Sequence, residues 1–188
     1  MTERSLSRYG PIIRRYADRY QMDWRLVLAI IRQESRFQPD ALSDKGAYGL
    51  MQIMPVTQAE LSDKLQVTEI SSPYNNVRAG VFHLRSLYRY FAEATGEDRV
   101  RISLAAYNAG LGRIRDAQSV ASHLGENPNS WDAVKRVLPL LSPRYQSLHR
   151  QIWPDGSPNS RYLRNYRQTI TYVENIMQYY DEYKLALN

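Results

Sequence analysis

Apolar residues return at helical spacing along almost the whole chain, and no segment alternates with the period of two that a half-buried strand requires. A chain patterned this way buries its apolar stripes by packing helix on helix. Leu6, Tyr9, Ile13 and Tyr16 mark a first amphipathic helix, and Asp23 stands where an N-cap is expected for a second, which carries Trp24 to Glu34. A loop follows from Gln38 to about Ile53. Pro55 fits the first turn of a helix that runs through Leu65, and Ser71-Ser72-Pro73 breaks the chain before the stripe Val77, Val81, Leu84, Tyr88 and Phe91, read as a helix from Asn76 to about Ala94. Asp98 is read as the cap of the next helix, Arg99 to Asn108, and Gly110 as its end. The irregular stretch 121–160 is read as two short helices, capped by Ser130 and by Ser142 with Pro143 in first position, and then a surface loop. The last helix is read from about Ser160 to Leu185, with Leu163, Tyr166, Ile170, Val173, Met177 and Tyr180 on one face. The expected fold is all-α, a bundle of roughly seven to ten helices forming a single domain over residues 1–188.

Within this pattern Glu34 stands out. It closes the apolar run Leu26-Val27-Leu28-Ala29-Ile30-Ile31-Arg32-Gln33-Glu34, and Val27, Ile30 and Ile31 lie seven, four and three residues before it, on the same helical stripe. Burial disfavours a charged carboxylate, and the negative end of the helix dipole adds to this, because Pro39 implies that the helix stops soon after Glu34. Both effects predict a raised pKa, as a general acid needs. The plainer reading is a half-exposed glutamate on a fraying helix end. Two further segments weigh against it. Asp44-Lys45-Gly46-Ala47-Tyr48-Gly49-Leu50-Met51-Gln52-Ile53-Met54-Pro55 combines two glycines three apart with flexible methionines, which implies tight turns near a surface. Ala105-Ala106-Tyr107-Asn108-Ala109-Gly110 puts a hydroxyl and an amide at a helix C-terminus flanked by small alanines.

Composition narrows the field. Fifteen tyrosines against three phenylalanines suit sugar rings, with their C–H faces and hydroxyls, although tyrosines at helical spacing serve more often as core edge. A net charge of +6 and a pI near 9.5 favour acidic partners, but the basic pairs Arg14-Arg15 and Lys135-Arg136 are too short to indicate nucleic acid. No nucleic-acid partner is expected. There are no cysteines, so disulfides and thiolate chemistry are excluded, and His83, His123 and His149 do not fall at metal-ligand spacings, so neither metal nor cofactor is expected. Met1-Thr2-Glu3-Arg4-Ser5 lacks the apolar core of a signal peptide, which predicts either a cytosolic protein or the mature part of a longer chain.

The segments taken together resemble the catalytic core of the lytic transglycosylases that cleave bacterial peptidoglycan, a goose-lysozyme-like family. The resemblance rests on Glu34-Ser35-Arg36-Phe37 with Pro39 and Ala41-Leu42-Ser43, on Gly46 through Pro55, on Ala106-Tyr107-Asn108-Ala109-Gly110, and on Tyr172-Val173-Glu174-Asn175-Ile176. Coverage runs from about Tyr9 to Tyr180, and 127–142 looks most similar to the membrane-bound type F subgroup. That subgroup also carries a periplasmic-binding-protein-like domain that nothing here matches, so the chain is expected to be a catalytic domain alone or a member lacking the sensor.

The resemblance implies a lysozyme-like fold with a substrate groove and a function for each motif. Glu34 would protonate the oxygen between N-acetylmuramic acid and N-acetylglucosamine, then take a proton from the sugar's own C6 hydroxyl to leave a 1,6-anhydro product. Ser43 would hydrogen-bond near the acid, Met51, Gln52 and Met54 would line sugar subsites, and Tyr107, Asn108 and Tyr172 would orient glutamate and substrate. Met51 and Met54 stay open to a second reading as core, and Tyr172 to one as a buried tyrosine bonded to backbone. The implied partner is the peptidoglycan glycan strand, with cell-envelope proteins or a missing regulatory domain beside it, for a monomer in the periplasm or cell envelope. A single acid agrees with this chemistry, since glycosidases that use two carboxyls need the second close by. Asp40 and Asp44 read instead as solvated turn residues. The substrate's acetamido oxygen can then serve as nucleophile. A muramidase with Asp40 or Asp44 as base, and a sugar-binding module without catalysis, are the competing readings. Trp131 and Trp153 are read either as sugar platforms or as loop anchors.

Overall fold

Glycine, proline and short polar residues cut the apolar stripes into nine α-helices among the described residues: α1 (Glu3–Tyr20), α2 (Trp24–Ser35), α3 (Pro55–Leu65), α4 (Pro73–Tyr90), α5 (Gly96–Ala109), α6 (Leu111–His123), α7 (Trp131–Val137), α8 (Gln146–Ile152) and α9 (Tyr166–Ala186). Two 3₁₀ turns, Leu138–Leu141 and Pro143–Tyr145, link α7 to α8. The computed structural model describes residues 3–187, with side chains from residue 6. Met1 and Thr2, part of the stretch read as lacking a signal-peptide core, lie outside it. No helix among the described residues is long and apolar enough to cross a membrane. The all-α expectation and the helix count hold; isolated β-bridges join Leu42 to Tyr48 and Tyr48 to Ile53 within a loop.

The chain divides into two compact units, one of residues up to Arg85 together with those from Asn175 onward, the other Ser86–Glu174. In the first unit α1 packs on α2, and Ile13 and Ala17 meet a helix whose residues Leu26 to Ile31 are all buried. Asp23 caps α2 as its position predicts. Its carboxylate accepts the backbone N–H of Arg25 at 2.8 Å, the Arg25 guanidinium at 2.9 and 3.1 Å, and the hydroxyl of Tyr180 from α9 at 2.9 Å. Burial pushes the Asp23 carboxyl up, but these bonds from Arg25 and Tyr180 outweigh it and hold the group below its usual value. A carboxylate with a depressed folded pKa adds stability above its unfolded value, near 4, and loses it as pH falls through the folded one. Below about pH 4 the melting temperature of the wild type is therefore expected to fall more steeply than that of Asp23→Asn. Parallel acid limbs in thermal melts of the two proteins would refute the assignment.

Tyrosine serves this unit mainly as core edge and as a seat for arginine. Tyr16 lies edge-on to Tyr74 with ring centres 5.1 Å apart, and the Arg32 guanidinium rests 3.8 Å over Tyr179 while bonding Glu182 at 2.8 Å. The Arg14 guanidinium covers the Trp24 ring at 3.5 Å.

In the second unit α5, α6 and α7 pack on one another around Ile102, Leu104, Ile114, Val120, Val134, Leu138 and Leu141. Three readings change here. Helix α5 starts at Gly96, with Thr95 as its cap, so Asp98 sits inside the first turn. The Asp98 carboxylate instead accepts the N–H of Trp131, the first residue of α7, at 2.8 Å. Ser130 occupies the cap position of α7 without a capping side-chain bond. A seven-residue helix thus takes its cap from another element, 33 residues away. Asp98→Ala is expected to cost about 1 kcal/mol, and Ser130→Ala a few tenths, a ranking that denaturant melts can reverse. Second, α6 fills residues 111–123, where the sequence reading delimits no element. Third, α9 begins at Tyr166 rather than Ser160; Leu163 is buried, but in the preceding loop, where its N–H bonds the Leu141 carbonyl at 3.1 Å. Ser142 caps the second 3₁₀ turn as read. Trp131 and Trp153 are both buried, which supports the anchor reading, and Trp153 meets His149 edge-on.

Candidate active site

Glu34 occupies the last turn of α2 and is half-buried, three residues beyond the buried run Leu26–Ile31. The helix stops at once. Arg36 adopts the left-handed conformation and returns its N–H to the Arg32 carbonyl at 3.2 Å, and Phe37, also at positive φ, is buried. Two consecutive non-glycine residues in this region turn the chain sharply away from the glutamate.

The loop that follows is held by its own short polar side chains. Ser43 pairs with Ala47 twice: its N–H donates to the Ala47 carbonyl and its hydroxyl accepts the Ala47 N–H, each at 2.9 Å. Tyr48 and Ile53 exchange backbone bonds at 3.1 Å. The Gln52 side-chain amide donates to the carbonyls of Ala41 and Gly49 at 2.8 and 2.9 Å. Gly46 and Gly49 both sit at positive φ, as the two-glycine spacing predicts. Tyr48 donates its hydroxyl to Asp40 at 3.3 Å, and burial together with the Asp40 charge raises its phenol above the ordinary value. Asp40 and Asp44 are exposed.

Two side chains outside the loop fix it in place, and sequence reasoning singled out neither. The Ser35 hydroxyl, next in sequence to Glu34, donates to the Leu50 carbonyl at 2.9 Å and lies 3.2 Å from the carbonyl of Ile31 in its own helix. Asn76, wholly buried in the first turns of α4, accepts the Met51 N–H at 2.9 Å and donates to the Tyr48 carbonyl at 3.0 Å. Gly49 lies so close that an added Cβ would stand 2.5 Å from the Asn76 amide nitrogen. Met51 itself is closed to solvent over Gly80, where an added Cβ would meet its sulfur at 2.4 Å. Of the two readings of Met51, its burial supports core packing. Met54, the residue before α3, is 42% exposed and offers a flexible apolar side chain to solvent.

Glu34, Ser43, Met51, Gln52 and Met54 therefore come together in the first unit, on the end of α2 and the loop tied to it. Tyr107, Asn108 and Tyr172 belong to the second. Tyr107 and Asn108 are half-buried on the last turn of α5, and Asn108 accepts the buried Thr169 hydroxyl at 2.9 Å. Thr169 and Tyr172 lie three apart on one face of α9, and Tyr172 is buried. A signal for Thr169 was available in that spacing, whereas Ser35 and Asn76 act across 15 to 28 residues and leave no local mark.

An all-α protein whose buried second helix ends in a half-exposed glutamate has the lysozyme-like fold of the solved lytic transglycosylases. It aligns with the 70 kDa soluble lytic transglycosylase of Escherichia coli at a TM-score of 0.62 and 26% identity, over 96% of this chain and 24% of that one. The lytic transglycosylase Slt of Pseudomonas aeruginosa, solved as an inactive glutamate-to-glutamine mutant, aligns at 0.61 and 27% over the same shares. The Transglycosylase SLT domain matches residues 11–129, and the chain belongs to that family. Membrane-bound lytic murein transglycosylase F of Desulfosudis oleivorans is 38% identical over 94% of this chain, and that of Histophilus somni (strain 129Pt) 34% over 95%. The chain spans 36% of the length of each of these relatives.

Proposed function

We propose that the chain is a catalytic domain that cleaves the β-1,4 bond between N-acetylmuramic acid and N-acetylglucosamine in peptidoglycan without water, leaving a 1,6-anhydro end. The observation that carries this reading is Glu34, a half-buried carboxyl on the last turn of a buried helix, in a chain of the transglycosylase SLT domain family. Glu34 donates its proton to the departing glycosidic oxygen and then, as carboxylate, accepts the C6 hydroxyl proton of the same sugar. The substrate's acetamido oxygen supplies the nucleophile, so no second protein carboxyl takes part. Asp40 and Asp44, exposed in their turn, fit this division of labour better than a hydrolytic one. Ser43, Gln52 and Met54 present the loop to the sugar, with the Gln52 and Ser43 bonds keeping it rigid. Met51 contributes by fixing the loop in the core. Tyr107, Asn108 and Tyr172 bind the glycan. The domain acts in the periplasm or cell envelope as a monomer, alongside other envelope proteins or a sensor domain.

Mass spectrometry of soluble products from purified peptidoglycan tests the reading. Anhydromuropeptides are the expected result. Reducing ends would make the protein a muramidase, and binding without turnover by folded protein would make it a sugar-binding module.

A further inference from the structure

Thr169 is a buried polar side chain, 2% exposed, that the proposed chemistry does not use. It lies in the first turn of α9, 61 residues from Asn108, and its hydroxyl donates to the Asn108 side-chain carbonyl at 2.9 Å. A hydroxyl carries one proton, so this bond decides which end of the amide faces α9. The oxygen is taken. The nitrogen, with two protons to donate, is held at the opposite end, and among the described residues it bonds to nothing. Asn108 stands on the last turn of α5, two residues before Gly110 ends that helix, and is only half-buried. Its amide is thus anchored by the oxygen to a closed side chain, on a residue that stays open to solvent.

We infer that Thr169 is a positioning residue, which sets the Asn108 amide so that its nitrogen, and not its oxygen, meets the glycan. An amide free to turn offers a donor or an acceptor. Pinned by its carbonyl it offers donors only, and it selects an acceptor oxygen on the ligand. N-acetylated sugars supply such oxygens as acetamido carbonyls, which accept hydrogen bonds and never donate them. A side chain left loose would also have to be ordered when the glycan binds, and the Thr169 bond orders it beforehand in the free protein. The inference rests on the proposed substrate and on Asn108 as one of its ligands, and its test separates it from the catalytic reading.

Thr169→Val removes the hydroxyl and keeps the shape, whereas Thr169→Ser keeps the hydroxyl. On purified peptidoglycan Thr169→Val is expected to raise KM about fivefold with kcat within about twofold of wild type, the factor that corresponds to ordering one side chain on binding. Thr169→Ser is expected to hold KM within about twofold of wild type, and in an Asn108→Ala background Thr169→Val should raise KM no further. An unchanged KM in Thr169→Val, a loss confined to kcat, equal losses in the valine and serine variants, or a full loss with Asn108 already removed would each overturn the inference while leaving the catalytic reading intact. Should thermal melts show that Thr169→Val does not fold, Thr169→Ser and Thr169→Ala, which differ by the hydroxyl alone, carry the same comparison. If wild type cleaves no peptidoglycan, the catalytic reading fails, and titration with a soluble N-acetylglucosamine oligomer decides the inference through Kd. The same ranking of variants supports it, and absent binding or a ranking indifferent to the hydroxyl overturns it.

Discussion

Glu34→Gln is expected to lower peptidoglycan cleavage by about 10³-fold or more while the melting temperature stays within about 2 °C of wild type. Glutamine keeps the shape of the side chain and its polar head at a half-buried position on the last turn of α2, so packing has little to lose. It cannot release a proton to a leaving oxygen or collect one from a hydroxyl. Where one group performs both transfers, removing it disables both, and the effect reaches or passes the upper part of the range for a single acid or base. Glu34→Asp supplies a graded control: it keeps the acid but withdraws it by one methylene, and a displacement of about 1 Å from the reacting atoms costs on the order of 10²-fold. The order wild type, then aspartate, then glutamine is the signature of an acid that must be both present and in place. Residual glutamine activity within tenfold of wild type would remove Glu34 from the chemistry.

Gly49→Ala is expected to lower stability by about 3 kcal/mol, enough to shift the melting temperature by roughly 6–12 °C. Two costs combine. Gly49 sits at φ 84°, where an L residue is strained by about 1–2 kcal/mol. Its new methyl would also stand 2.5 Å from the nitrogen and 2.8 Å from the oxygen of the Asn76 amide, and moving that amide breaks its bonds to Tyr48 and Met51 in a buried place, worth about 1–3 kcal/mol. The second cost requires Asn76, so it vanishes in an Asn76→Ala background. The double variant should then be more stable than the sum of the singles by about 1–2 kcal/mol. Strict additivity in denaturant melts would show that the close approach is relieved some other way.

How much of this was legible follows the range of each interaction. Helix α3 runs from Pro55 to Leu65 as read, α2 starts after Asp23, and Gly110 ends α5, because proline, a capping carboxylate and a glycine act within a few residues of where they stand. Asp98 carries the same capping chemistry and was placed on the wrong helix, since an aspartate near two helix starts does not declare which N–H it will accept. Leu163 has the right spacing for α9 but belongs to the loop before it, buried through its bond to Leu141. In the candidate site the glutamate, the glycine pair and the loop were visible as motifs. The roles of their neighbours were not: Gln52 turns its amide on its own loop, and Met51 packs on Gly80, a contact that depends on where α4 passes.

The pairing of Glu34 with Ser35 also sets a rule of length. Successive residues on a helix point about 100° apart, so the last turn of α2 addresses two directions, the serine toward the Leu50 carbonyl and the half-buried glutamate away from it. One residue inserted or deleted between the Asp23 cap and this turn would rotate both, setting a hydroxyl where the acid belongs and driving a carboxylate at a backbone oxygen. Variation in chain length is therefore closed to α2 and open to the exposed turn at Pro154 and Asp155, where an added residue shifts no helical face.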